Sequence, residues 1–197
     1  MDEAVMRSLA KWPNVPAVYG WLVLNRRGEW LLNKEPLRHE RARSFICRNY
    51  AADERGCWFF QNGPQRVYVE LEYTPIVVHF VDGRLHSHLE RPVEKVDAVF
   101  LDDDGNIIFL TEQGAALLDP QSLLEFSDLL RDVEGNLAGD ERVEEILNGG
   151  GDLSTLRFEY AGQSIALEPI KASDLPGRLG FVRHPEPPAA ESTSAGA

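Results

Sequence analysis

The segment VVHFVDGRLHSHLE, residues 77–90, places three of the chain's five histidines around one tight turn. Imidazole nitrogens bind transition metals and move protons near neutral pH, so their arrangement decides what chemistry is open. Asp82-Gly83 is a two-residue type I′ turn signal. It pairs Phe80 with Leu85, His79 with His86, Val78 with Ser87 and Val77 with His88. Directly opposed residues have Cβ atoms about 5 Å apart, so His79 and His86 could share an ion, with His88 as a diagonal third ligand. No H-x-x-x-H helix or C-x-x-C pair supplies further ligands. Ile76, Val78, Phe80, Leu85 and Leu89 already make the core-facing side. The histidines are therefore expected on the solvated side of a hairpin, and a metal site through His79, His86 and His88 is the alternative. The sequence calls for no cofactor.

A second group lies in CWFFQNGPQRVYVELEY, residues 57–73. Pro64 restricts Gly63, which favours a four-residue loop over 62–65. In that register Phe59 faces Tyr68, Phe60 faces Val67 and Gln61 faces Arg66. One face carries Trp58, Phe60, Val67 and Val69. The other carries Cys57, Phe59, Gln61, Arg66, Tyr68 and Glu70, a mixed face suited to binding. Phe59, Arg66 and Tyr68, with Arg41 and Arg48 from a neighbouring basic helix, are the candidate binding residues. Aromatic and arginine side chains anchor protein interfaces, and they also stack single-stranded nucleic acid. A helix lying over this face, with its arginines paired to Glu70 and Glu72, is the structural alternative.

Other chemistry finds little support. The nucleophile elbow, the phosphate-binding loop and the dinucleotide glycine pattern are missing from the sequence, and no catalytic residue is assigned. Glu70 and Glu72 alternate on a strand, where carboxylates usually serve solubility. In DDDGN, placing Gly105 at the invariant glycine of a calcium loop puts Phe100 and Thr111 where acidic ligands are required. A turn explains those acids. Cys47 adjoins Arg48, which would lower a thiol pKa, but no His or Asp partner stands at a readable offset, and packing is the simpler role.

Positioning these groups falls to a chain of 197 residues with net charge −12. A polyanion disfavours nucleic acid and anionic lipid as partners. The charge is uneven: residues 1–66 carry 11 Lys and Arg against 7 Asp and Glu, and residues 67–197 carry 9 against 25. Two cysteines point to a reducing compartment. The acidic start lacks a secretory pattern, and no apolar run reaches the roughly 18 residues of a membrane span. A cytoplasmic location is expected, with a protein or peptide as partner.

The patterning predicts an α+β fold: an antiparallel, hairpin-rich sheet system, curved or two-layered, with helices packed on one side. Residues 2–12 read as a helix stopped by Pro13 and Pro16. A hairpin turns at Gly28, and residues 36–51 read as a helix with Pro36 in its first turn. The hairpin at Asp103–Gly105 is apolar on both faces and is expected to be central. Asp119-Pro120 opens a helix expected to turn Leu123, Leu124, Leu130 and Val133 inward. A short helix ends at Gly149–Gly151, and a last hairpin spans 156–170. One domain over 1–183 and a disordered Pro/Ala/Ser-rich tail over 184–197 complete the reading.

The run RNYAADERGCWFFQNGPQRVYVELEYTP, residues 48–75, resembles the signature of a family of uncharacterised proteobacterial proteins, and the likeness extends through LLDPQSLLEFSDLL. The resemblance implies a bacterial cytoplasmic protein of unknown function. It transfers no catalytic or binding residue. Cys57 departs from the polar or basic residue expected there.

Overall fold

The computed structural model describes residues 1–12, 15–147 and 150–188. Helices α1 (Glu3–Lys11) and α2 (Glu40–Arg48) accompany a six-stranded sheet built from β1 (Val18–Leu24), β2 (Trp30–Leu32), β3 (Glu35–Pro36), β4 (Tyr50–Ala52), β5 (Trp58–Asn62) and β6 (Gln65–Leu71). Its strand order is β3-β2-β1-β6-β5-β4. The second sheet comprises β7 (Ile76–Val81), β8 (Arg84–Ser87), β9 (Arg91–Pro92), β10 (Val96–Asp102), β11 (Ile107–Thr111), β12 (Gly114–Leu118), β13 (Leu130–Arg131), β14 (Arg157–Tyr160) and β15 (Gln163–Ile170). Its nine strands run β13-β14-β15-β10-β11-β12-β7-β8-β9. Helices α3 (Leu123–Asp128), α4 (Asp140–Leu147) and α5 (Leu175–Leu179) lie in the same half. The class is α+β.

Local alternation sets the hairpins. Phe59↔Tyr68, Phe60↔Val67 and Gln61↔Arg66 pair as the parity of the sequence requires. Asn62 also pairs with Gln65, so the loop is the two residues Gly63-Pro64, shorter than expected, and Gly63 takes φ 56° to close it. His79↔His86 and Phe80↔Leu85 pair around Asp82 and Gly83, both at positive φ as a type I′ turn demands. Hairpins are then joined by parallel contacts: β1 with β6, β7 with β12 and β10 with β15. A single core spans both sheets, from Leu24, Trp30 and Leu71 to Phe109, Phe126 and Phe158. The hairpin of β10 and β11 is central: Val99, Phe100, Leu101, Ile107, Ile108 and Phe109 are all buried.

Two expectations about the helices need correction. The helix at 36–51 covers only 40–48, because Asn33 and Lys34 at positive φ fold Pro36 back into β3. The helix after Pro120 is a 3₁₀ turn followed by the short α3, with Leu124 and Val133 exposed at 73% and 62%. Phe126 takes the inward position, and Leu130 is buried from β13. The helix stop at Pro13, the glycine at 149 and residues 189–197 of the expected tail lie outside the described residues.

Candidate functional site

The aromatic hairpin builds a small second core. Cys57, Phe59 and Tyr68 are buried together, flanked by partly buried Tyr19, Ala51 and Val182. Strand alternation sends these side chains to one face of the six-stranded sheet while Phe60 and Val69 join the main core. Tyr19 stacks on Tyr68 at 4.6 Å with the planes 8° apart. Arg66 lies over Phe59 at 4.6 Å and Arg55 over Tyr68 at 5.5 Å, so two guanidinium groups cap two rings. Trp21, two residues beyond Tyr19 in β1, is 57% exposed.

Asp53 organises the edge of this face. One carboxylate oxygen accepts the Cys57 and Arg55 backbone N–H groups, and the other accepts the Tyr68 hydroxyl at 2.9 Å and the Arg55 guanidinium at 3.1 Å. Burial pushes the Asp53 carboxyl up, but these hydrogen bonds outweigh it and hold it below the ordinary aspartate value. Gly56 completes the turn at φ 76°, and a Cβ there would stand 2.5 Å from the Gly180 carbonyl oxygen. Val182 donates its N–H to the Gly56 carbonyl at 3.0 Å, laying the segment around 182 against the cluster.

Phe59, Arg66 and Tyr68 are therefore brought together; Arg41 and Arg48 are not. Helix α2 packs Phe45 edge-on to Phe60, the opposite side of β5 from Phe59. Arg48 pairs with Asp2 at 3.3 Å, and Arg41 is exposed. Glu72 accepts the Arg26 backbone N–H, so the arginine helix does not cover the aromatic face through that residue.

The histidines separate. His79 and His86 face one another across β7 and β8. The His88 ring instead lies beside Trp30 at 5.4 Å and Tyr50 at 6.1 Å, and its Nε2 is enclosed without a hydrogen-bond partner. Parity placed His88 on the correct side of the hairpin, but that side is covered by the turn at Gly28 and by Trp30. Val77 N–H donates to His88 Nδ1 at 3.2 Å, which fixes the neutral ring's hydrogen on Nε2. Burial lowers the His88 pKa to about 3. Among the described residues no three His, Cys, Asp or Glu side chains are grouped to hold a metal ion. Burial likewise raises both thiols, Cys47 and Cys57.

Sequence reasoning missed a cleft of about 1110 Å³ in the second half of the chain. It opens between the end of β10, α4, the 3₁₀ turn Leu153–Thr155, β15 and α5. Its walls come from strands and turns far apart in sequence, and no local pattern announces it.

A sequence profile described as "Protein of unknown function (DUF2946)" matches residues 1–186. The chain belongs to this family. It matches none of the curated proteins. Among solved structures it is similar to a DUF1285 family protein from Silicibacter pomeroyi DSS-3, at 14% identity and a TM-score of 0.53, covering 81% of this chain and 85% of that one. A DUF1285 family protein from Shewanella baltica OS155 aligns at 16% identity and a TM-score of 0.42, over 53% of this chain and 88% of that one. The first likeness is one of fold. No described helix is long and apolar enough to cross a membrane.

Proposed function

We propose that this protein is a polypeptide-binding module rather than a catalyst, and that its contact surface is the face of the six-stranded sheet around Phe59, Arg66 and Tyr68. One observation carries the reading: two arginine guanidinium groups sit over buried aromatic rings on a sheet face that helix α2 does not cover. Arg55 is already engaged by Asp53, whereas Arg66, placed over Phe59, loses little freedom on binding and keeps its donors for a partner's carboxylates or carbonyls. Arg66 has no ion-pair partner among the described residues. The rigid rings beneath supply the pre-organisation expected of an interface anchor.

Because Phe59 and Tyr68 are buried, the discriminating variant is the exposed Arg66→Glu. Affinity capture from a lysate with the wild type and with Arg66→Glu, each first shown folded by circular dichroism, is the experiment. A partner retained by the wild type and by Leu124→Ser, but lost by Arg66→Glu, supports the surface. An unchanged set of captured polypeptides removes it.

A further inference from the structure

We infer that the cleft in the second half of the chain binds a small organic cation carrying an apolar chain. The reading stands on the cavity, on its floor and on the charges left at its rim. It is independent of the aromatic face of the six-stranded sheet.

The floor is apolar. Leu101, Ile146, Leu167 and Ile170 are buried yet line the cavity, and Leu153 joins them half-buried. At about 1110 Å³ the space takes a ligand of drug or oligopeptide size. Water held against such a floor is released by an alkyl or ring substituent, which gives the favourable part of binding.

The rim sets the sign. Five carboxylates and three basic side chains line the cleft. Arg178 is already neutralised by Glu168 at 2.6 Å and lies over the Phe100 ring at 4.8 Å. Asp102 is engaged by the Tyr73 hydroxyl and by Asn106. Arg157 is turned to its own backbone, donating to the Ser154 and Leu156 carbonyls. Asp103 and Asp174 differ from these. Asp103 uses Oδ1 to accept the Ala172 N–H at 2.7 Å, and Asp174 uses Oδ1 to accept the Ser173 hydroxyl at 3.0 Å. Neither forms an ion pair among the described residues, and each keeps its Oδ2 for an incoming donor.

Both carboxylates belong to the strongly acidic part of the chain, whose summed field draws cations toward a low-dielectric opening. Lys171 is the exposed basic side chain that could reverse this preference, and it makes the sign testable. An ammonium between Asp103 and Asp174, with its chain along Leu101, Leu167 and Ile170, satisfies rim and floor together.

The experiment is calorimetric titration of the full chain with n-octylamine, with octanoate as the charge-reversed probe and spermidine as a cation lacking the apolar tail. Saturable one-to-one binding of n-octylamine is expected, with octanoate and spermidine at least tenfold weaker. Asp103→Asn/Asp174→Asn should weaken n-octylamine about tenfold, and Ser154→Trp, which fills the opening from an exposed position, should abolish it. Equal or tighter binding of octanoate would overturn the inference by assigning the rim to Lys171. So would spermidine binding as well as n-octylamine, failure of n-octylamine to bind at millimolar concentration, or indifference of its affinity to both variants.

Discussion

Gly28 rests against His88: a Cβ built on the glycine would lie 2.8 Å from the His88 Cβ and 3.3 Å from that of Val77. The turn between β1 and β2 is thereby locked onto the second sheet, and Gly28 holds φ 76° to do it. Gly28→Ala combines a left-handed backbone penalty with overpacking, together about 2–4 kcal/mol. Gly83 has nearly the same φ, 75°, but nothing within 4 Å, so Gly83→Ala should cost only about 1 kcal/mol. Chemical denaturation of the two variants checks the difference. Equal losses would show that the contact with His88 contributes nothing.

His88 makes stability depend on acid. Its folded pKa of about 3 lies below the ordinary 6.5, so the unfolded chain binds the extra proton between those values. The contribution is fully present above pH ~6.5 and falls away as the pH drops toward about 3, by up to roughly 4–5 kcal/mol. His88→Gln removes the titrating group. Its stability should fall less steeply than the wild type's across this window, and parallel curves would exclude His88 as the source.

Asp53 shows a linkage of the same sense in a more acid window. Its pKa is depressed, so its stabilisation is present above the ordinary carboxyl value and is lost as the pH falls through the lowered one. Asp53→Ala strips the Cys57 and Arg55 backbone donors, the Tyr68 hydroxyl and the Arg55 guanidinium of their acceptor, at a cost of about 1–3 kcal/mol. A thermal-unfolding midpoint unchanged from the wild type would contradict this.

Tyr73 is held between two guanidinium groups, Arg26 at 4.2 Å and Arg183 at 4.8 Å, with its hydroxyl on Asp102. Tyr73→Phe keeps the stack and loses two hydrogen bonds, the one donated to Asp102 and the one accepted from the Asn106 amide, about 1–3 kcal/mol. Tyr73→Leu loses the stack as well and should cost clearly more. Urea unfolding of the pair separates the two contributions.

Both thiols are enclosed, and burial raises the pKa of each. A thiolate is the reactive form, so neither should react with a disulfide reagent on the timescale of a free cysteine until the chain unfolds. Two equivalents appearing only in denaturant is the expected result, and one rapid equivalent in buffer would disprove enclosure.

Much of this fold was legible where neighbours in sequence are neighbours in space. The β5–β6 register followed from alternation of Phe59, Phe60, Val67 and Tyr68, and the β7–β8 register from Asp82-Gly83. His88 shows the limit of that reasoning. Parity tells which side of a strand a ring occupies, but whether the side is wet depends on Gly28 and Trp30, dozens of residues away. The same limit applies to helix α2, whose arginines could be counted but whose packing against Phe60, away from Phe59, came only from the sheet order. Leu124 and Val133 fit a helical stripe, yet the chain turns into β13 before that stripe meets the core. The parallel joins and the cleft involve residues too distant for any local pattern.

The bridge between Val182 and Cys57 has a consequence for biosynthesis. A ribosome releases the chain from its amino end, so β5 and β6 emerge long before the residue that closes their flank. The early hairpins must wait, with Cys57 and Tyr68 partly uncovered, until nearly all of the described chain has left the exit tunnel. Completion of the first-made sheet thus depends on a segment synthesised far downstream of it.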